Sequence, residues 1–219
     1  MSACVDHLVV AASTLEQGAA WCLECLGASP VAGGRHLGMG THNRLMAIAS
    51  AAFPMAYLEV IARDPAAPAP TRSRWFGLDD PALQARLRER PRLLHVVARS
   101  TALDGTLDAL RALGLDAGRA VAAERASAHG TYRWRIAGRA DGRLLCGGAL
   151  PTLIEWQGMH PSQQLPASGV ALRALTLGGL AGPVAGALAL QGVHIEAEGA
   201  ALRAELDTPC GVVRLSSAD

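Results

Sequence analysis

The sequence predicts an α+β protein in which paired βαβββ modules form a curved mixed sheet around a cavity, with a partial third module at the C-terminus. The main observation is an internal repeat: residues 6–27 read DHLVVAASTLEQGAAWCLECLG, and residues 93–114 read LLHVVARSTALDGTLDALRALG. Each copy has an apolar strand with one histidine, followed by a helix that ends at Leu-Gly. A later apolar strand with one glutamate follows each copy, in AYLEVIA and in PTLIEWQ.

The first copy predicts a complete β-α-β-β-β unit. Residues 4–12 alternate as a half-buried strand, and we expect four of their side chains to share one face: Val5, His7, Val9 and Ala11. Ser13 or Thr14 can cap the helix that follows. The glycines of VAGGRHLGMGTH favour turns or a flexible loop, whereas NRLMAIAS and AYLEVIAR are typical of strands.

The chain divides by these patterns into four parts. We predict a first module at residues 1–63, a Pro-rich linker with a short helix at 64–91, a second βαβββ module at 92–160, and a partial third module at 168–219. In the third part, Leu172 stands where the first two copies have histidine, and the last strand offers Arg214 rather than a carboxylate. We therefore expect this part to be structural, covering a sheet edge or closing one side of the cavity.

The composition excludes several classes of function. Half of the 219 residues are apolar and the formal net charge is +1, which indicates a substantial core and no nucleic-acid partner. We expect no membrane partner and a cytoplasmic location, because the apolar runs are short and the N-terminus lacks a signal-peptide pattern. The five cysteines are scattered, and the CxxC of Cys22 and Cys25 falls inside a helix, so neither disulfides nor a zinc site is predicted there.

The basic residues are all arginine. The chain has 20 basic side chains and no lysine. This excludes Schiff-base chemistry, a P-loop lysine and a pyridoxal-phosphate enzyme.

Two histidines and two glutamates occupy matching places in the repeat: His7, Glu59, His95 and Glu155. Charged side chains in apolar strands are costly to bury unless they are paired, protonated or bound to a cation. One explanation is that all four point into a shared cavity and hold a divalent metal, for which Zn, Ni, Co, Mn or Fe(II) are candidates. The alternative is that each histidine is a hydrogen-bonded core residue and each glutamate faces solvent.

The arrangement resembles the vicinal oxygen chelate superfamily, which includes glyoxalase I, extradiol dioxygenases and bleomycin-resistance proteins. The segments GGRHLGMGTHNRL, YLEVIA and GGALPTLIEW are similar to the glyoxalase-like domain group within it. The resemblance implies metal ligands on the first and fourth strands of each module, here His7, Glu59, His95 and Glu155. It further implies a metal-stabilised enediolate, with Glu155 or Glu59 as the catalytic base and Glu155 favoured.

These expectations lead to three functional hypotheses. The first is a metal-dependent lyase or isomerase acting on a small oxygen-bearing substrate. The second is a metal-free protein that binds or sequesters a small molecule, and the third is a structural or interaction protein in which the histidines are core residues. An extradiol-type dioxygenase is the alternative form of the metal-dependent enzyme. The protein is expected to be a monomer or a homodimer with a small-molecule ligand.

Other polar residues suggest a binding role at the cavity mouth. We predict that His42, Asn43 and Arg44 contact substrate, although Asn43 could equally anchor the preceding loop. Trp156 alternates with Glu155 and is expected on the opposite face, against a helix. The remaining histidines fit no pattern: His129, His160 and His194.

Overall fold

The computed structural model describes residues 2–127 and 130–219, so His129 lies outside the described residues. The first module comprises β1 (Ala3–Ala11), α1 (Leu15–Leu26), β2 (Val31–His36), β3 (Thr41–Ala47) and β4 (Tyr57–Arg63). Thr14 caps α1 by accepting a hydrogen bond from the amide of Gln17, and Gly27 ends the helix with φ +68°. The segment VAGGRH, expected to be a loop, is strand β2 with a register shift between Ala32 and Arg35.

The linker contains α2 (Pro81–Glu89), which Asp80 caps, and a short 3-10 turn at Trp75–Gly77. The second module repeats the order of the first: β5 (Arg92–Ser100), α3 (Leu103–Ala112), β6 (Arg119–Ser127), β7 (Gly130–Gly138) and β8 (Thr152–Gln157). The C-terminal part comprises β9 (Ala171–Gly178), α4 (Gly182–Leu188), β10 (Leu190–Gln191), β11 (Val193–Glu196), β12 (Leu202–Thr208) and β13 (Gly211–Ser216).

The two modules share one sheet. Within the described residues its strand order is β2-β3-β4-β1-β5-β8-β7-β6, and β10 also pairs with the start of β1. The first strand of each module runs parallel to the fourth, and the modules join where β1 and β5 pair antiparallel. The expected α+β class, with a curved mixed sheet built from paired modules, is confirmed.

The C-terminal part does not extend this sheet. Apart from β10, its strands form a separate four-stranded sheet in the order β11-β9-β12-β13. Its leucines join the same core cluster as the sheet residues Leu8 and Leu58 and the helix residues Leu26 and Leu110. We call the face of the main sheet that this cluster covers the outer face. The opposite, inner face is lined by Val9, Ile61, Val97 and Ile154.

The CxxC lies within α1, as expected. Cys22 is buried, and burial raises the pKa of its thiol to about 12. Nothing about this cysteine favours thiolate chemistry.

Candidate functional site

A β-bulge in β1 positions the first functional side chains. Val5 pairs with Ala98 and His7 with Val97, so Asp6 is an extra residue in the ladder. The bulge reverses the alternation at this point, and Val5 joins the outer core while His7 faces the inner side. The expectation that Val5 shares a face with His7 is therefore wrong, because a strict period of two does not survive a bulge.

His7 and Glu59 come together on the inner face. Glu59 lies on β4, where Val9 is its pairing partner on β1. The Nε2 atom of His7 is 3.7 Å from Glu59 Oε2, and the residues are only 5% and 6% exposed. The ring of Tyr57 stacks on His7 at 4.6 Å. Burial, with the nearby carboxylates of Asp6 and Glu59, raises the pKa of Tyr57 well above its usual value.

Asp6 fixes the orientation of His7. Burial raises the pKa of Asp6, but hydrogen bonds from His160 and His7 outweigh this effect, and the pKa lies well below its usual value. His7 Nδ1 is 2.7 Å from Asp6 Oδ1, while His160 Nε2 and Trp156 Nε1 lie 2.9 Å from Asp6 Oδ2. An ionised Asp6 holds the Nδ1 proton of His7, so Nε2 is the ring nitrogen that faces Glu59.

The position of Trp156 corrects one prediction. Its indole bonds to Asp6 and packs near Trp134 on the inner face, with ring centroids 5.4 Å apart. It does not pack against a helix on the outer face.

The glycine pair in β2 makes room for Asn43. A Cβ atom at Gly33 would lie 2.1 Å from Asn43 Oδ1, and the amide of Gly34 donates to that oxygen at 2.8 Å. The side-chain amide of Asn43 then donates to Glu59 Oε1 at 2.5 Å. Asn43 thus anchors β2, as the alternative interpretation held, and also holds the carboxylate of Glu59 in place.

His36 completes this side of the site. Its Nε2 atom is 3.4 Å from Asn43 Nδ2, and its Nδ1 atom is 3.0 Å from Thr41 Oγ1. Burial lowers the pKa of His36 to about 4, although the charge of Glu59 opposes the shift. The ring is therefore neutral at pH 7, and it packs edge-on against Trp75 at 4.9 Å.

Two neighbouring spaces adjoin these residues. His7, Tyr57, Glu59 and Asn43 line a small pocket of about 40 Å³, which we call the inner pocket. A second space of about 540 Å³, the main cavity, is lined largely by β6, β7 and the segment before β8. Six residues line both: His36, Trp75, Phe76, Arg125, Trp134 and Ile136. The inner pocket is therefore next to a space large enough for a small organic molecule.

The linker supplies part of this wall, which the sequence did not indicate. Trp75 and Phe76 border both spaces. Phe76 has a φ of +59°, a left-handed conformation that is costly for a bulky residue, and its ring lies 5.2 Å from that of His95. Such strain is often found where a side chain must be held at a binding site.

His95 is buried in the second module with both ring nitrogens occupied. Its Nε2 accepts from the amide of Thr152 at 3.1 Å and lies 3.0 Å from Thr152 Oγ1, while Nδ1 lies 3.0 Å from the carbonyl oxygen of Gly148. Burial lowers its pKa to about 3, despite the bond to Gly148. This is the hydrogen-bonded core histidine of the alternative interpretation, and it has no free nitrogen for a metal.

Glu155 is placed on the outer face, so its expected role as base and ligand is wrong. It shares that face with Leu153 and is bonded to Arg135 at 3.0 Å. The strand register explains the error. Glu59 pairs with the residue two after His7, and the residue two after His95 pairs with Thr152. Thr152 therefore takes the place of Glu59, and Glu155, three residues later, faces the other way.

His42 and Arg44 also face away from the inner pocket. They flank Asn43 on β3, so the alternation of the strand places them on its opposite side. Arg44 Nη2 lies 3.8 Å from Glu16 on α1, and neither residue lines the inner pocket or the main cavity. The prediction that they contact substrate is not consistent with this geometry.

The expected metal quartet does not assemble. In the part of the chain that the structure describes, no three His, Cys, Asp or Glu side chains are grouped so that they could hold a metal ion. One imidazole and one carboxylate, those of His7 and Glu59, remain at the inner pocket. Zinc and non-haem iron sites usually have three or four protein ligands, so this donor set does not fit either group.

Most of the sequence matches the model of a known protein family. A model of the glyoxalase-like domain matches residues 5–206. The chain belongs to the glyoxalase-like domain family. The expected similarity to the glyoxalase-like domain group is thereby confirmed. No curated protein sequence matches the chain significantly.

The chain is similar to several solved structures. A hypothetical protein from Staphylococcus aureus aligns with a TM-score of 0.59 at 12% identity, covering 99% of this chain and 86% of that chain. A variant of the Streptomyces coelicolor methylmalonyl-CoA epimerase in complex with 2-nitronate-propionyl-CoA has a TM-score of 0.42 at 18% identity, covering 71% and 96%. The Mycobacterium tuberculosis methylmalonyl-CoA epimerase has a TM-score of 0.39 at 19% identity, covering 69% and 85%. The likeness to the Staphylococcus aureus protein concerns the fold alone and does not indicate a reaction.

No helix in the described residues is long and apolar enough to cross a membrane.

Proposed function

We propose that the protein is an acid–base enzyme that transfers a proton at a carbon next to a carbonyl group of a small oxygen-bearing molecule. The observation that carries the proposal is the buried pair of His7 and Glu59, 3.7 Å apart, at the wall of the inner pocket. Proton transfer next to a carbonyl needs a base at the carbon and a donor at the oxygen, and this pair supplies both.

The surrounding residues assign the two roles. Asn43 occupies Oε1 of Glu59, so Oε2 is free to take the proton from the carbon. Asp6 orients His7 so that, in its protonated form, Nε2 donates a hydrogen bond to the carbonyl oxygen as the electrons move onto it. Return of a proton to the same carbon completes exchange with solvent or racemisation.

The donor set disfavours the metal-dependent form of this chemistry. An extradiol dioxygenase would need a second histidine beside His7 and Glu59. The second histidine of the repeat, His95, has both nitrogens bonded within its own module. The proposed reaction therefore relies on the protein's own acid–base groups.

The direct test is exchange of carbon-bound hydrogen with solvent. The purified protein would be incubated in D2O with 2-oxo-4-phenylbutanoate, its methyl ester, dihydroxyacetone phosphate or dihydroxyacetone, and loss of the C–H signal would be followed by proton NMR. We expect exchange with at least one compound, reduced about 10²–10⁴-fold in both Glu59→Gln and His7→Gln, because a general acid or base contributes about this factor.

The matched control is His194→Gln, which changes an exposed histidine in the C-terminal sheet and should leave exchange unchanged. Treatment with a chelator should also leave the rate unchanged, whereas loss that zinc or manganese restores would reinstate a metal mechanism. Binding of a compound without exchange in any of the four would favour a sequestering protein instead.

A further inference from the structure

The main cavity has an excess of positive charge. Its charged lining residues are Arg35, Arg72, Glu124, Arg125, Arg139 and Arg143. Three of these are neutralised locally, because Arg35 pairs with Asp64, Arg139 with Asp141, and Glu124 with Arg133. Among the described residues, Arg72, Arg125 and Arg143 have no carboxylate partner. The cavity therefore lacks the negative charge that would balance its own arginines.

Arg125 stands where this charge meets the site of proton transfer. It lines both the main cavity and the inner pocket. Its side chain reaches from β6 across to β2, where a Cβ atom at Gly34 would lie 2.0 Å from Arg125 Nη1. The guanidinium carbon lies 5.4 Å from the centre of the Tyr132 ring. The glycine and the aromatic ring thus leave room for the cation at the junction of the two spaces.

The positive charge of Arg125 already acts on the inner pocket. After burial and the opposing effect of Glu59, it is the next contribution to the lowered pKa of His36. It also partly offsets the raised pKa of Tyr57. A group in the inner pocket therefore lies within the electrostatic reach of this guanidinium.

Other donors around the cavity lack acceptors. Arg72 Nε and Trp75 Nε1 are buried and have no hydrogen-bond partner among the described residues. Such groups destabilise a protein unless an acceptor reaches them. Much of the remaining lining is apolar, including Val121, Leu144 and Leu150.

We propose that the substrate is an anion whose charged oxygens, those of a carboxylate or a phosphate, bind Arg125. This arrangement places the neighbouring carbonyl group in the inner pocket and the apolar remainder in the main cavity. The inference deepens the proposed function and rests on the same site. It names a substrate class that the His7–Glu59 pair alone does not distinguish.

The test compares anionic probes with their neutral counterparts in the full-length protein. The carboxylate pair is 2-oxo-4-phenylbutanoate and its methyl ester, and the phosphate pair is dihydroxyacetone phosphate and dihydroxyacetone. Binding can be followed by tryptophan fluorescence, because Trp75 and Trp134 line both spaces. In at least one pair we expect the anion to bind about tenfold or more tightly than the neutral compound, since hydrogen bonds to charged groups contribute that much.

Three variants separate the role of Arg125 from general charge. Arg125→Gln should remove the preference for the anion. Gly34→Ala keeps the charge but displaces the guanidinium, so it should also weaken anion binding. Arg119→Gln removes an arginine from the same strand that does not line the main cavity, and it should leave the preference unchanged.

The outcomes distinguish this inference from the proposed function. Equal binding of anion and neutral compound, an unchanged preference in Arg125→Gln, or no binding of either pair at millimolar concentration would overturn it. Exchange with the neutral compounds alone would leave the proposed function intact and reject the anion. Selective anion binding without exchange would support the anion and reject the proposed function. The probe pair that shows the preference identifies the anion as a carboxylate or a phosphate.

Discussion

Asp6 and His160 are the residues that the sequence patterns missed. No sequence pattern relates these two residues, because they are 154 positions apart and His160 belongs to no repeat. The available signal was an acid beside a histidine in an apolar strand, which is too common to indicate a site. In the structure Asp6 is fully buried and accepts from three donors, which explains why an acid is tolerated there.

His7 and His95, at matching positions of the repeat, have different roles because their neighbours differ. The sequence placed His7 and His95 in matching strands, and both are indeed buried. His95 is bonded to backbone atoms and Thr152, whereas His7 lies between two carboxylates. Those neighbours come from pairing across the sheet, which residue type and spacing do not specify.

Two histidines with lowered pKa values predict how stability depends on pH. The pKa of His95 falls from 6.5 to about 3 on folding, and that of His36 to about 4. Between these values and 6.5 the unfolded chain binds protons that the folded chain does not. The free energy of unfolding should therefore fall as the pH is lowered below 6.5, by about 1.4 kcal/mol per pH unit for His95.

Asp6 acts in the same direction at lower pH. Its pKa is lowered on folding from 3.8, so its contribution is present above that value and is lost as the pH falls further.

Urea denaturation at intervals from pH 7 to pH 4 measures how steeply the free energy of unfolding falls with pH. The variant His36→Asn should make this dependence shallower. A free energy of unfolding that stays constant between pH 6.5 and pH 5 would contradict the neutral state assigned to His95.

At the level of elements, β8 shows where sequence comparison fails. The strings AYLEVIA and PTLIEWQ look alike, and matching their glutamates seems natural. Hydrogen-bond pairing with β5 fixes the register instead and puts Thr152 in the place of Glu59. An error of an odd number of residues reverses every side chain of a strand, so a correct strand still yields a wrong site residue.

The register of β8 predicts that Glu155→Gln leaves catalysis unchanged. Glu155 contacts Arg135 on the outer face, away from both spaces. We expect the exchange rate to match wild type and the stability to fall by less than about 1 kcal/mol, the usual size for a partly exposed ion pair. Deuterium exchange and urea denaturation measure the two effects. A loss of exchange as large as that of Glu59→Gln would show that the register is wrong.

Strand β2 is an element whose type the sequence did not predict correctly. Its glycines suggested a loop, because glycine is generally unfavourable in strands. Here the missing side chains let Asn43 and Arg125 approach the backbone. Glycine in a strand can mark such a close approach, but the identity of the approaching group emerges only in three dimensions.

For the whole molecule, the repeat was enough to predict the paired modules and the curved sheet. The sequence also indicated a partial third module at the C-terminus, but it did not indicate how that part packs. Its strand β10 pairs with the start of the central strand β1, while its other strands cover the outer face. None of its residues lines the inner pocket or the main cavity.

This packing predicts that the C-terminal part is required for folding. Five of its leucines are nearly inaccessible to solvent: Leu172, Leu175, Leu177, Leu202 and Leu206. Each contributes about 1.5–3 kcal/mol when fully buried, and their sum is comparable to the total stability of a domain, about 5–15 kcal/mol. Deleting residues 168–219 should abolish cooperative unfolding, as followed by circular dichroism.

The milder change Leu206→Ala should lower the free energy of unfolding by about 2–5 kcal/mol and leave the fold intact. A truncated chain that still unfolds cooperatively and catalyses exchange would refute the structural role.

The two modules contribute differently to the two spaces. The first module carries the paired imidazole and carboxylate at the 40 Å³ pocket, while the second, whose histidine is tied to Thr152, provides most of the wall around the 540 Å³ space. Under the proposed function, the first module therefore carries the reacting groups and the second module contacts most of the ligand. Substitutions in the second module are therefore expected to change which molecules bind without moving His7 and Glu59.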